Sequence, residues 1–273
     1  MFADLHLHST FSDGTDTPLE LCALAREHGV RVISITDHDT AAGQKALRNE
    51  RPQGVTVIPG IEISTLVNRV MQHILGYYID IFSVILDRYI AKASAEKTES
   101  TRINFENARA ANVFSYDWER VLELNPGQPR VGGVHVVKAM GIDGYEVPGM
   151  GLGDMFHRYF WPENDNYISC ETHTGYDAID VIKAAGGIPV IAHPKSIKND
   201  DIVLDLIRYG AQGLEAYHPS HDSGDTAKYL QMAEDYHLYV SGGSDWHGKN
   251  GQYGVHFAMT GLEHENYDLL NKE

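Results

Sequence analysis

What most constrains this chain is a repeated two-part pattern: a short run rich in Val and Ile that stops at polar residues, then an amphipathic stretch. The runs are F-A-D-L-H-L-H (2–8), V-R-V-I-S-I-T-D-H (30–38), V-T-V-I-P-G-I-E-I (55–63), H-I-L-G-Y-Y-I (73–79), I-P-V-I-A-H (188–193), G-L-E-A-Y-H (213–218) and L-Y-V-S-G-G-S-D-W-H (238–247). Such β-branched runs bounded by turn residues read as buried strands. Between them, T-P-L-E-L-C-A-L-A-R-E-H-G (17–29) carries a complete helix signature: Thr17 as N-cap, Pro18 at the first position, Glu20 closing a capping box and Gly29 as the stop. D-A-I-D-V-I-K-A-A-G-G (177–187) repeats the helix-then-glycine ending. Strand and helix in alternation predict a parallel sheet with helices outside, an α/β fold.

The rhythm breaks between 83 and 165. A long polar helical stretch at about 83–111 is followed by P-G-Q-P-R and the aromatic F-H-R-Y-F-W. The expected organisation is a discontinuous barrel domain (1–82 and 166–273) with a mostly helical insert, 83–165, over one end of the barrel.

Composition excludes several classes. With 42% hydrophobic residues in 273, the chain can bury a sizeable core. No apolar run approaches the ~18 residues of a membrane helix, and no secretory leader opens the chain. Cys22 and Cys170 offer no disulfide framework, so the reading is a cytoplasmic protein with no membrane association. A net charge of −16 disfavours extended nucleic acid as a partner. It is compatible with a small phosphorylated substrate, because divalent cations can invert the field inside one pocket.

Fifteen histidines are the unusual feature of the composition, and their placement carries the argument. His6 and His8 end the first run, Asp37 and His38 the second and Glu62 the third. His73 opens the fourth, His193 ends a later one, and Asp245 with His247 ends the last. In parallel β/α folds such strand ends converge on one mouth. Histidines two apart on a strand point the same way. Imidazole and carboxylate without thiolate suit Zn, Mn or Fe(II), and charges crowd in this way only when cations neutralise them.

These residues lie in motifs that resemble the PHP (polymerase and histidinol phosphatase) superfamily of metal-dependent phosphoesterases, in its small stand-alone branch. The motifs are D-L-H-L-H-S-x-x-S-D-G-x-x-T-P (4–18), I-T-D-H-D-T (35–40), P-G-I-E-I-S (59–64), H-I-L-G-Y (73–77), I-A-H-P (191–194), G-L-E-A-Y-H-P (213–219) and S-G-G-S-D-W-H (241–247). The resemblance implies a distorted β/α barrel of about seven strands with two or three divalent metal ions (Mn, Fe or Zn). By motif position, His6, His8, Glu62 and Asp245 would hold one metal. Glu62 would bridge to a second with His73 and His193, and Asp13, His38 and His247 would hold a third. Asp13 also fits an ordinary S-D-G turn.

The chemistry implied is hydrolysis of a phosphoric ester. Asp37 would orient the nucleophile, act on the leaving group or fix the His38 tautomer. His193 and His218 are alternative proton donors, although His218, followed by Pro219, is equally readable as structural. Relatives that act on nucleotide 3′,5′-bisphosphates carry a stretch like Ile-Ser-Arg-Thr-His whose Ser and Arg grip a second phosphate. Here the stretch is V-G-G-V-H (131–135), so Gly132 and Gly133 supply no such grip. Arg130, His135, Arg158 and Lys195 remain as candidate substrate-binding residues.

The favoured expectation is a cyclic phosphate dihydrolase of the phosphoribosyl 1,2-cyclic phosphate type, releasing inorganic phosphate. Alternatives are a nucleotide 3′,5′-bisphosphate 3′-phosphatase, a histidinol phosphate phosphatase and a non-catalytic metal-binding domain. Loss of ligands would mark the last, and none is missing.

Overall fold

The computed structural model describes residues 1–48, 50, 52–249 and 255–268. The chain runs through β1 (Ala3–Leu7), α1 (Pro18–Glu27), β2 (Val32–Ile35), α2 (Ala42–Leu47), β3 (Thr56–Val67) and β4 (Val70–Tyr77) before the long α3 (Val84–Ala110). α4 (Trp118–Leu124), α5 (Gly133–Ile142), α6 (Leu152–Tyr159) and α7 (Gly175–Ala184) follow. β5 (Ile188–Ile191), α8 (Asp200–Tyr209), β6 (Gly213–Tyr217), α9 (Ser223–Asp235), β7 (Tyr239–Gly242) and α10 (His264–Asp268) complete it.

The seven strands form one sheet in sequential order, β1 to β7. A bridge between Leu7 and Trp246 brings the two edges together, giving a nearly closed barrel. Helix α1 starts as its sequence dictates, with Thr17 and Glu20 closing the capping box. Leu21, Cys22 and Ala25 of α1 are buried with Leu7, Ile33 and Ile35, so the helix covers the sheet through its apolar stripe. A second cluster, including Leu5, Val32, Ile58, Leu75 and Val190, joins both halves of the sheet.

One expectation about the sheet is corrected. Strands β1, β2 and β3 are parallel, as are β5, β6 and β7, but β4 pairs antiparallel with β5. Only Asn68 and Arg69 separate β3 from β4, and both take positive φ (49° and 66°). That is a two-residue hairpin turn, too short for the crossover a parallel neighbour needs. Both strands also extend beyond the predicted runs. Glu62 and His73 therefore lie inside strands rather than at their ends.

Two compact units are distinguishable: the described residues of 1–65, 72–87 and 174–268 form the barrel, and 66–71 with 88–173 form a helical unit. The helical unit has its own core of Phe105, Phe114, Trp118, Val121, Val136, Met140, Met155 and Phe160. Within it, partly buried Lys97 meets Glu171 at 3.2 Å and the Tyr167 hydroxyl at 3.2 Å. Among the described residues, no helix is long and apolar enough to cross a membrane.

Candidate metal centre

Nine of the sequence-derived residues converge on the barrel. Glu62 is their hub: Oε1 faces His73 Nδ1 at 2.9 Å and His193 Nε2 at 3.1 Å. Its Oε2 faces His6 Nε2 and His8 Nε2, each at 3.2 Å, and His38 Nδ1 at 3.1 Å. Asp245 Oδ1 lies 3.4 Å from His6 Nε2 and 3.1 Å from His8 Nε2. Asp13 approaches His247 Nε2 at 3.4 Å, His8 Nδ1 at 3.8 Å and His38 Nε2 at 4.0 Å. The groupings that could hold an ion include His6 with His8 and Asp245, His6 with Glu62 and His193, His38 with Glu62 and His73, and His8 with Asp13, His38 and His247.

The donor set fits divalent cations. Nitrogen and oxygen ligands about 2.0–2.2 Å from one tetrahedral ion lie roughly 3.3–3.6 Å from each other, and the separations around Glu62 and Asp245 are 2.9–3.4 Å. His6 Nε2, both nitrogens of His8, Asp13 Oδ1 and Glu62 Oε2 are buried without a hydrogen-bond partner. Orphaned polar atoms of this kind are costly unless something else satisfies them. They are the atoms a cation would take.

Electrostatics agree. Burial opposes ionisation of Asp13, Glu62 and Asp245, but the surrounding imidazoles outweigh it and hold all three carboxyls well below their usual range. Burial also opposes charge on His6 and His8. The carboxylates of Glu215, Glu62 and Asp245 nevertheless raise His6 well above an ordinary imidazole, and Asp245 with Glu62 lifts His8 to about 10. His38 goes the other way: burial, with repulsion from His8 and His73, keeps it neutral. The site demands positive charge, which protons or metal cations can supply.

A surrounding layer fixes which nitrogen faces inward. His6 Nδ1 meets Glu215 Oε1 at 2.9 Å, leaving Nε2 for the cluster. His247 Nδ1 donates to the carbonyl oxygen of Asp245, two residues earlier, at 2.9 Å, again leaving Nε2. His193 Nδ1 meets Ser196 Oγ at 2.9 Å, and its amide donates to Glu215 Oε2 at 2.7 Å. That second contact holds His193 at φ 25°, an uncommon conformation for a non-glycine residue. Asp4, also buried, accepts from the Ser244 amide at 2.9 Å and ties β1 to the segment carrying Asp245. Burial pushes its carboxyl up to about 7.

Sequence reasoning missed Glu215 and Asp4, although both sit in the motifs above. An acidic residue alternating with apolar ones inside a buried strand was the available signal in G-L-E-A-Y. His218 Nδ1 accepts from the Ser220 amide at 3.1 Å, which leaves the ring proton on Nε2, 3.4 Å from Asp245 Oδ2. Glu215, His6 and His218 form a further cluster of possible ligands.

Two expected roles are not met by the geometry. Asp37 does not touch His38, since its oxygens accept from Ser9 and Ser12, all at 2.7 Å. Lys195 donates to the Asp225 carboxylate and to Ser220 O, so its charge is already partnered within the barrel. Arg130, His135 and Arg158 belong to the helical unit. There His135 Nδ1 accepts from the Gly132 amide at 3.1 Å, and exposed Arg158 lies 5.7 Å from the Tyr159 ring centroid. A Cβ on Gly133 would fall 2.4 Å from Phe160 Cβ, so the crossing of α5 and α6 excludes any side chain there. At Gly132 the nearest atoms would be Arg130 Nη1 at 3.6 Å and His135 Nδ1 at 3.9 Å, ordinary contacts.

Comparison with known proteins points the same way. The family model described as PHP domain matches residues 4–179. A phosphoribosyl 1,2-cyclic phosphate 1,2-diphosphodiesterase from Eggerthella lenta is 31% identical over 92% of this chain and 96% of its own. A 5′-3′ exoribonuclease from Salmonella typhimurium is 30% identical (89% and 84%), and a 3′,5′-nucleoside bisphosphate phosphatase from Chromobacterium violaceum 29% (89% and 86%). A solved structure from Bifidobacterium adolescentis, named for a metal-dependent phosphoesterase, superposes with a TM-score of 0.84 at 28% identity, covering 98% of this chain and 94% of that one. With that fold, this family match and a barrel that gathers residues able to hold cations, the chain belongs to the PHP family of metal-dependent phosphoesterases.

Proposed function

We propose that this protein opens a small five-membered cyclic sugar phosphate, of the phosphoribosyl 1,2-cyclic phosphate type, and then removes the phosphate from the resulting monoester. The observation that carries the reading is Glu62, whose two oxygens face different groups of histidines. Such a carboxylate would serve two cations, one with each group of histidines, and Asp13, His38 and His247 would hold a third. Bound there, Mn, Fe or Zn would lower the pKa of water and clamp phosphoryl oxygens.

The protein's own groups have distinct parts to play. Glu215 orients His6 and fixes the His193 backbone, keeping both rings aimed inward. His218, with its proton on Nε2, is the better donor to the departing sugar oxygen; His193 directs its Nε2 at Glu62 and serves as a ligand. Each hydrolysis consumes one water, transfers its oxygen to phosphorus and returns one proton to the leaving oxygen. The same cluster serves both steps, because a cyclic diester and a monoester present similar phosphoryl oxygens.

Substrate choice is supported by Gly132 and Gly133 and by the Eggerthella lenta relative's activity. A helix crossing that forbids a side chain at 133 also forbids a guanidinium there. The second reading, a nucleotide or short RNA end, is favoured by the Chromobacterium and Salmonella relatives. The test is phosphate release by Mn-loaded protein, comparing kcat/KM for a 1,2-cyclic ribosyl phosphate with that for adenosine 3′,5′-bisphosphate, with the transient monoester followed by phosphorus NMR. A preference for the bisphosphate of about tenfold, or about 1.4 kcal/mol of transition-state stabilisation, would replace the first reading by the second.

A further inference from the structure

In T-D-H-D-T the two aspartates flank a candidate ligand, yet each reaches away from it. Asp37 is 1% exposed. Its Oδ1 accepts from the Ser9 amide and the Ser12 hydroxyl, and its Oδ2 accepts from the Ser9 hydroxyl, all at 2.7 Å. Asp39 turns the other way and accepts from the Ser64 amide at 2.9 Å, two residues past Glu62. It does so at φ 51°, a conformation aspartate tolerates better than most residues. His38 is thereby suspended between the loop that carries Asp13 and the strand that carries Glu62.

The Asp13 loop has Ser9 as its internal anchor. The Ser12 and Gly14 amides both donate to Ser9 O at 3.1 Å, and the Phe11 amide donates to Ser9 Oγ at 3.2 Å. Asp37 holds Ser9 by two bonds and Ser12, the neighbour of Asp13, by a third. On its far side, a Cβ on Gly43 would lie 2.4 Å from Asp37 Oδ2 and 3.0 Å from Ser9 Oγ. The carboxylate is therefore packed in place, with no route towards the cluster.

We propose that Asp37 is a positioning residue for the cation at Asp13, His38 and His247: one carboxylate fixes the loop of the first ligand while its own backbone carries the second. The proposal rests on the reading that this lobe binds metal. It assigns Asp37 no proton transfer and no contact with substrate.

The experiment is equilibrium dialysis of wild-type, Asp37→Ala, Asp37→Asn and Ser12→Ala proteins against Mn(II), with metal per chain measured by elemental analysis and ion–ion coupling by electron paramagnetic resonance. Asp37→Ala should lose the third equivalent, its dissociation constant rising about 10–100-fold, while the other two stay bound. Ser12→Ala, which removes one of the bonds to Asp37 and leaves the apolar core untouched, should shift the same equivalent in the same direction and covers the case of a poorly folded alanine variant. Asparagine can still accept from the Ser9 amide and Ser12 hydroxyl, so Asp37→Asn should recover the third equivalent to within about threefold.

Two equivalents or fewer in wild-type protein would overturn the three-cation reading itself. Three equivalents in wild type, Asp37→Ala and Ser12→Ala alike, with affinities within about twofold, would overturn the positioning role. So would a fully metallated Asp37→Asn protein as inactive as the alanine variant, because a direct catalytic role would then be required.

Discussion

Replacing Glu62 by Gln tests the centre most directly. The change keeps shape and volume, so the strand and its packing survive, but it exchanges one carboxylate oxygen for an amide NH2 that cannot ligate and removes a full charge. Five imidazole nitrogens lie within 3.2 Å of the two oxygens. Glu62 is 1% exposed, so solvent does not replace what is lost. Breaking one side of a buried charge pair costs about 3–5 kcal/mol. At about 1.4 kcal/mol per tenfold, that is roughly a 150- to 4,000-fold weakening for each cation the carboxylate would hold. Both shared equivalents should therefore dissociate during dialysis, with kcat/KM falling in parallel. Elemental analysis of dialysed protein beside steady-state phosphate release reads both quantities, and circular dichroism confirms the fold. Loss of only one equivalent would refute the sharing of Glu62 between two cations. A full complement with kcat/KM within about twofold of wild type would refute its role as a ligand altogether.

Proton linkage, the leaving-group donor and the glycine pair each give a further test. Because the carboxylates raise the proton affinity of His6, His8, His193 and His247, metal uptake must displace protons. Apparent affinity should therefore strengthen as pH rises through neutrality, and calorimetry in buffers of different ionisation enthalpy should detect proton release; a pH-independent affinity would contradict histidine ligation. His218→Gln should retain its metal and lower kcat about 10²–10⁴-fold with little change in KM, whereas loss of metal would make His218 a ligand instead. Gly133→Ala should destabilise the helical unit by about 1–3 kcal/mol through its clash with Phe160. Gly132→Ala, with room for its Cβ, should cost less than about 1 kcal/mol, and thermal melts of the two variants give the comparison.

Much of the site is legible in the amino-acid sequence alone. The period-2 strands, the capping box at Thr17 and Glu20 and the repeated arrival of His, Asp and Glu after apolar runs are local properties, encoded within a few residues of each other. They suffice to mark candidate ligands at strand ends of a parallel α/β sheet, because β/α chain order alone brings strand ends together, while Asp13 and the barrel of about seven strands enter through the motif resemblance. Two things are decided only in the tertiary structure. The antiparallel course of β4 depends on a two-residue turn whose effect appears only when β4 finds β5. The roles of Asp37, Glu215 and Lys195 depend on partners distant in the chain: Ser9 and Ser12, His6 and His193, and Asp225. A carboxylate beside a histidine in sequence looks like that histidine's helper, yet neighbours along an extended backbone point to opposite sides. The groups they serve lie across the sheet.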